Sequence, residues 1–472
     1  MSPSTRLPNK PFARLTRRTT AITTLGRAHV VSALVVLLML LAPACRAEFQ
    51  AEPLPGVTLN AGLLAGFAAV TMFNANLGLG QVDFLTRARD GDPSWTEIQM
   101  KPYLGFTTNH GVYGNVSVVG ATTFFDGDAA AFTRGGDGSV DIEAAQLGWR
   151  SGAASDDNER PVIDVSFGRQ TLDIGDGFLI DDGNFDLRND GGVWLVPRQA
   201  FQRTLVARLD YRAWHSDLFF LESDPDNDET ALAGGNFEYQ FTRGGHIGLL
   251  YAHILDTDTP RLFGIREGMN VLSARINDFR FEGLPQVAWW GEATRQFGDG
   301  RFGRIDASAW YGEAIYYFPH LPWQPRLSYR YAWFSGDPHP TDNVRRDFDP
   351  LFYGFDKRGW GTWFQGEVTG GWLLFNNNQR NHLVHLAANP LPQVTVGMIG
   401  GSFFLVEDNY RGVPVTSRHF GDEFNIYTDW LINKTVSLSI AYGVLFPGQG
   451  AIQGVGDDET FHLLEMGLNF SF

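Results

Sequence analysis

From Glu97 to the C-terminus, apolar and polar residues alternate with period two in segments of about ten residues, each followed by a polar turn or loop. In Thr435 to Phe446, the side chains of Val436, Leu438, Ile440, Tyr442, Val444 and Phe446 share one face, and Thr435, Ser437, Ser439, Ala441 and Gly443 share the other. Asn433-Lys434 turns this segment onto a preceding strand, where Phe424, Ile426, Thr428, Trp430 and Ile432 oppose Glu423, Asn425, Tyr427 and Asp429. The same pattern places Leu205, Ala207, Leu209 and Tyr211 opposite Gln202, Thr204, Arg208, Asp210 and Arg212, and Leu327, Tyr329, Tyr331 and Trp333 opposite Arg326, Ser328 and Arg330. The last segment keeps it to the end: His462, Leu464, Met466, Leu468, Phe470 and Phe472 fall on one parity, and Leu463, Glu465, Gly467, Asn469 and Ser471 on the other.

Counting such segments between residues 97 and 472, with 362–374 and 381–388 among them, predicts about eighteen strands, each long enough to cross a bilayer. Sixteen is the other even count that the spacing allows. The fold expected is all-β, a transmembrane antiparallel up-and-down barrel. In lipid each unpaired backbone group is costly, so such a sheet must close on itself. Aromatic residues near segment ends, at Trp289-Trp290, Tyr316-Tyr317-Phe318, Trp360 with Trp363, and Phe403-Phe404, fit interfacial girdles.

Composition agrees. Gly 54, Phe 37, Trp 13 and Tyr 14 suit many short strands joined by tight turns. With 43% hydrophobic residues and a mean hydropathy of −0.16, a bundle of membrane helices is excluded. Residues 1–47 read as a secretory signal peptide: basic residues from Arg6 to Arg27, an apolar run from Val30 to Leu41, and small residues before the expected cut after Ala47. Residues 48–96 read as a first strand or a lumen-facing segment, and 97–472 as the barrel. The formal charge is −16, and the leader holds seven of the 37 Lys and Arg and none of the 53 Asp and Glu, so the remainder carries −23. Nucleic acid is therefore not an expected partner. The single cysteine, Cys45, lies in the leader, so neither a disulfide framework nor thiolate chemistry is expected.

A charge on the lipid face near midplane costs about 2–4 kcal/mol, so the charged parity must face the lumen. Candidate lumen residues are Arg208, Asp210, Arg212, Arg326 and Arg330, with Glu238, Glu423 and Asp429 on the same parity of their strands. Acidic residues collect in the loops. Asp224 to Glu229 resembles a calcium loop but has no glycine at the sixth position, and a solvated loop is the expected state. His382 and His385, three apart on a strand, face opposite sides and do not share a metal. There is no Gly-x-Ser-x-Gly elbow, Walker loop or zinc-binding helix motif, so no catalytic residue, metal or cofactor is expected and an outer-membrane hydrolase is the weaker reading.

Two stretches go further. Phe167-Gly-Arg-Gln-Thr-Leu-Asp-Ile-Gly-Asp-Gly177, and Pro325-Arg-Leu-Ser-Tyr-Arg-Tyr-Ala-Trp-Phe-Ser-Gly-Asp337 followed by Arg346-Asp-Phe-Asp-Pro350, resemble the alginate-export family of outer-membrane porins. The resemblance implies an eighteen-stranded barrel whose arginine-lined pore passes an anionic uronate polysaccharide. Arg169, Arg326 and Arg330 are the positions here that match that lining. Strict alternation puts Arg169 on the face of Ile163, Val165 and Phe167, so it turns inward only if Gly168 makes a bulge. The expected function is an outer-membrane channel for anionic or sugar-like solutes, including an alginate-type polysaccharide. The alternative is a structural or adhesive barrel with a filled lumen and cation-binding acidic loops. Expected partners are outer-membrane lipid and lipopolysaccharide, the barrel-assembly machinery through Phe472, and the anionic solute.

Overall fold

The computed structural model describes residues 49–472, apart from 152–160, 185–189, 226–227, 243, 258–265, 301–302, 355–359 and 361–364. The predicted signal peptide, Trp363 and residues 226–227 of the acidic stretch lie outside the described residues. Eighteen antiparallel strands close into one barrel. They are β1 (Val57–Phe73), β2 (Ser94–Thr108), β3 (Val112–Phe125), β4 (Gly138–Arg150), β5 (Val162–Gln170) and β6 (Phe201–Tyr211); β7 (Trp214–Glu222), β8 (Thr230–Gln240), β9 (His246–Thr257), β10 (Asn270–Phe279), β11 (Val287–Gly300) and β12 (Gly303–Tyr317); and β13 (Arg326–Phe334), β14 (Gln379–Leu391), β15 (Val394–Leu405), β16 (His419–Asn433), β17 (Val436–Pro447) and β18 (Phe461–Ser471). Each pairs with its neighbours in sequence, and β1 pairs with β18 from Leu64↔Ser471 to Phe73↔His462. The seam ends with Leu63 and Phe472 exchanging backbone hydrogen bonds at 2.8 and 2.9 Å. A short N-terminal strand, Phe49–Leu54, pairs onto the start of β1.

The predicted count holds, but its membership differs in one place. The described part of the predicted 362–374 segment is not a strand: from Gln365 the chain runs through turns into a short π-helical segment, Thr369–Leu374, inside the barrel. The stretch is apolar because it is buried there, not because one face meets lipid. Its place in the wall is taken by β1, which precedes the counted region.

Direct cross-strand partners share a face, so the register separates wall from lumen. Leu205, Leu209, Leu218, Leu249, Leu272 and Val384 lie outward and exposed. This apolar surface replaces solvent contact with lipid contact. At the end of the short turns, aromatic rings follow one another around the rim: Trp214 with Phe237 at 4.9 Å and with Tyr239 at 4.5 Å, then Tyr239–Phe241, Phe241–Phe279 and Phe279–Phe281 at 5.5, 5.2 and 5.0 Å. Not every predicted girdle residue belongs to a girdle. Phe403 is buried inward, and the Trp360 indole donates to Asp429 in the lumen at 2.9 Å.

Turns at one end, such as 212–213, 392–393 and 434–435, are short, whereas 74–93, 171–200, 335–378, 406–418 and 448–460 at the other end are long. In outer-membrane barrels the short turns are periplasmic and the long loops extracellular, which orients the molecule.

Candidate functional site: the lumen and its mouth

The two longest loops, 171–200 and 335–378, turn inward. Inside the barrel they meet as a parallel ribbon: Phe352 donates to Leu179 O at 3.0 Å, Asp181 and Asp182 donate to Phe352 O at 2.8 and 3.1 Å, and Gly354 donates to Gly177 O at 2.8 Å. Phe178, Leu179, Ile180, Phe348, Phe352 and Tyr353 from these loops are buried in one cluster with inward wall residues such as Val206, Ala309 and Phe334.

Carboxylates of the wall hold the loops in place. Glu97 on β2 accepts the backbone N–H groups of Trp194 and Leu195, and Glu465 on β18 accepts the Trp194 indole at 2.8 Å. Glu423 on β16 accepts Val368 and Thr369 N–H at 3.1 and 2.6 Å, and Glu143 accepts Gln199 N–H at 3.0 Å. Tyr311 on β12 donates to Asp176 in the first loop. Glu97 and Glu423 each accept several N–H groups, and Glu143 also meets Lys101 at 3.5 Å, so these acids act as loop anchors.

The candidate lumen residues do not form one ring. Arg208 faces inward on β6 and pairs with Asp217 of β7 at 3.4 Å. Asp210 accepts from His215 Nδ1 at 2.6 Å, and His215 Nε2 lies 2.9 Å from Asp217. This cluster continues through Asn236 and Glu238 to Arg275 on β10, which fills the space above Gly248. Arg330 on β13 is buried, holds Glu313 of β12 through Nε and an Nη at 3.0 and 2.8 Å, and lies 4.6 Å over the Tyr311 ring. Arg326, first on the same strand, faces the lumen beside the Tyr427 hydroxyl. Gly397 leaves the room that Tyr427 occupies, since a Cβ there would lie 2.2 Å from the ring.

Arg169 is at the loop end of β5. Gly168 has φ 117°, and the β5–β6 register shifts between Gly168 and Gln170, so the bulge that alternation demanded is present. The Arg169 guanidinium pairs with Asp224, which gives the acidic 224–229 stretch a cationic partner from the protein. Among the described residues no group of three or more His, Cys, Asp or Glu could hold a metal. Arg212 departs from expectation. β6 ends at Tyr211, which pairs with Trp214, so Arg212 occupies a two-residue turn with φ 54° and lies 5.2 Å over the Tyr211 ring, away from the lumen wall.

Sequence reasoning did not single out Arg275, Glu97 or Glu465. Arg275 was readable, because Val271, Ser273, Arg275 and Asn277 alternate with Leu272, Ala274 and Ile276. The anchoring role was not, because the anchored N–H groups lie up to hundreds of residues away in sequence.

At the extracellular mouth the loops enclose a cavity of about 680 Å³. Phe132 contributes to its wall, its ring tilted against that of Phe84 at 4.8 Å. The loop that carries Phe132 is pinned by Asp128, whose carboxylate accepts from Ala130, Phe132 and Thr133 N–H at 2.8, 3.2 and 2.7 Å. Burial pushes the Asp128 carboxyl up to about 6, against the pull of those N–H groups. Its folded value lies above the ordinary one, so the ionised form is disfavoured in the folded loop, and stability is gained as pH falls through about 6. Amide exchange at residues 130–133, corrected for intrinsic rates, is expected to be slower at pH 5 than at pH 8. Asp128→Asn should abolish that difference.

The sequence profile described as "Alginate export" matches residues 139–463. The chain belongs to the alginate-export family. No curated protein matches this family member's sequence significantly. Among solved structures it is similar to OccAB2 of Acinetobacter baumannii, with 9% identity, a TM-score of 0.53, and 87% of this chain and 98% of that one covered. It is likewise similar to OccK2 (OpdF) of Pseudomonas aeruginosa, with 12% identity, a TM-score of 0.52 and coverage of 88% and 97%. OccK5 (OpdH) of the same organism gives 10% identity, 0.51, and coverage of 87% and 98%. At these identities the likeness is one of fold. The alginate-export chain is thus an outer-membrane β-barrel of a channel family, not of an enzyme family.

Proposed function

We propose that this barrel is a channel for anionic or sugar-like solutes, with an alginate-type polyuronate as the cargo class. The observation that carries the reading is the lumen wall: its inward parity holds both charge signs in hydrogen-bonded networks, as around Arg208, Asp217, Glu238 and Arg275, while the outward parity is apolar. Hydrated solute crosses a wall of this kind by exchanging water for side-chain polar groups. Partners on this reading are outer-membrane lipid, lipopolysaccharide and the anionic solute. A second reading, a structural barrel with a filled lumen, is favoured by the loop ribbon across the interior.

Purified protein in a planar bilayer separates the two. Discrete conductance steps are expected, with anions preferred over cations. Arg326→Ala with Arg330→Ala should turn the preference toward cations, because Glu313 then keeps its charge without its partner. A complete lack of steps would sink the channel reading. Unchanged selectivity in the double variant would remove these arginines from the conducting path.

A further inference from the structure

The mouth cavity lies above the ribbon on the extracellular side and is made entirely of loop residues. Its lining brings together features that point to one kind of ligand. Three arginines, Arg87, Arg89 and Arg411, are among its lining residues, against a single acidic one, Asp182. Arg411 is held rigidly: its backbone has φ 48°, its Nη donates to Leu373 O at 3.0 Å, and its Cζ lies 5.6 Å from the Phe375 ring and 5.3 Å from the Tyr410 ring. A guanidinium braced in this way is pre-organised to hold a carboxylate. Phe84, Phe132, Trp372 and Phe375 add aromatic walls.

Asn184 gives an independent observation. It lines the same cavity, is 2% exposed, and its side-chain oxygen accepts no hydrogen bond among the described residues. A buried acceptor left open costs roughly 1–3 kcal/mol, which a donor in the cavity would recover. A ligand with an O–H supplies that donor, whereas an aromatic carboxylate without a hydroxyl does not.

We infer that the mouth cavity is a capture site on the outer face for a short sugar acid: ring against the aromatic wall, carboxylate on Arg411, and a ring hydroxyl donating to Asn184. About 680 Å³ suits a ligand of one or a few rings and not a polymer strand. Such a site serves collection from outside, so it assigns this barrel a role in uptake as well as passage. The inference rests on the channel reading only for what happens after capture; binding itself is independent of conduction.

The test uses the full-length protein in detergent micelles and follows Trp fluorescence, which Trp372 in the wall reports, during titration with galacturonate and digalacturonate. Galactose serves as the neutral sugar and benzoate as the hydroxyl-free acid. Saturable binding is expected for the two uronates, with Arg411→Gln and Asn184→Leu each weakening it by about tenfold, or about 1.4 kcal/mol. Resistance to denaturation in detergent confirms that each variant is assembled. Galactose and benzoate are expected to bind at least about tenfold more weakly. The inference is overturned by absent uronate saturation, by equal affinity for benzoate, or by assembled variants that bind as the parent does. Bilayer steps that persist in any of these cases leave the channel reading standing alone.

Discussion

Replacing residues 335–378 by a short Asn-Gly turn is expected to raise single-channel conductance severalfold while the barrel still assembles. Assembly should survive because Phe334 and Gln379, at the two ends of this loop, are already direct cross-strand partners, so a tight hairpin turn spans the gap without moving either strand. Conductance should rise because the loop supplies half of the ribbon across the lumen, and residues 179–182 lose their partners when Phe352 and Gly354 are removed. The loss of Phe348, Leu351, Phe352 and Tyr353 also strips the buried cluster that fixes the other inward loop against β6 and β12. Planar-bilayer recording of the two proteins side by side checks this. Equal conductance would show that the ribbon does not obstruct the path, and a cavity beside it would then be the conducting route.

The barrel wall was legible in the sequence because its two faces meet different media, and alternation records that difference one residue at a time. Where the inward face packs on protein instead of water, the record fails. β1 escaped the count because its inward side carries Gly66, Ala68, Val70 and Met72, which pack on lumen-filling loops and look no more polar than the lipid side. Residues 362–374 entered the count for the complementary reason: a loop buried inside a barrel needs apolar side chains wherever it runs. The inward placement of Arg208, Arg326 and Arg330 followed from parity alone. Their partners did not, because Arg330 meets Glu313 only once the register of β12 against β13 is set. Parity likewise did not show that inward carboxylates such as Glu97, Glu423 and Glu465 anchor loop N–H groups.

Arg266→Ala should have the largest effect of any single substitution on the loop ribbon inside the barrel. Arg266 and Asp349 are both fully buried and form a bidentate pair at 2.8 and 2.7 Å, the first just before β10 and the second in the ribbon-bearing loop. Asp349 is held on all sides: Arg345 lies 3.0 Å from it, Leu351 N–H donates to it, and its backbone N–H and C=O are bracketed by the Gln296 amide on β11 at 3.0 and 2.6 Å. Burial pushes the Asp349 carboxyl up, but the charges of Arg266 and Arg345 outweigh it and hold the group at about 2. A value below the ordinary one means that the pair's stabilisation is present above the usual carboxylate range and is lost only as pH falls toward about 2. The latch of the parent protein should therefore persist at pH 5, unlike the Asp128 loop, which changes there. Removing the guanidinium leaves a desolvated carboxylate short of one partner, at a cost of about 3–5 kcal/mol. Amide exchange at residues 348–353 should accelerate accordingly while exchange in the barrel strands stays slow. Arg266→Met with Asp349→Leu, which removes both charges and keeps the volume, should restore most of the protection. If Arg266→Ala leaves residues 348–353 as protected as in the parent, the ribbon is held by its backbone pairing and the aromatic cluster rather than by this ion pair.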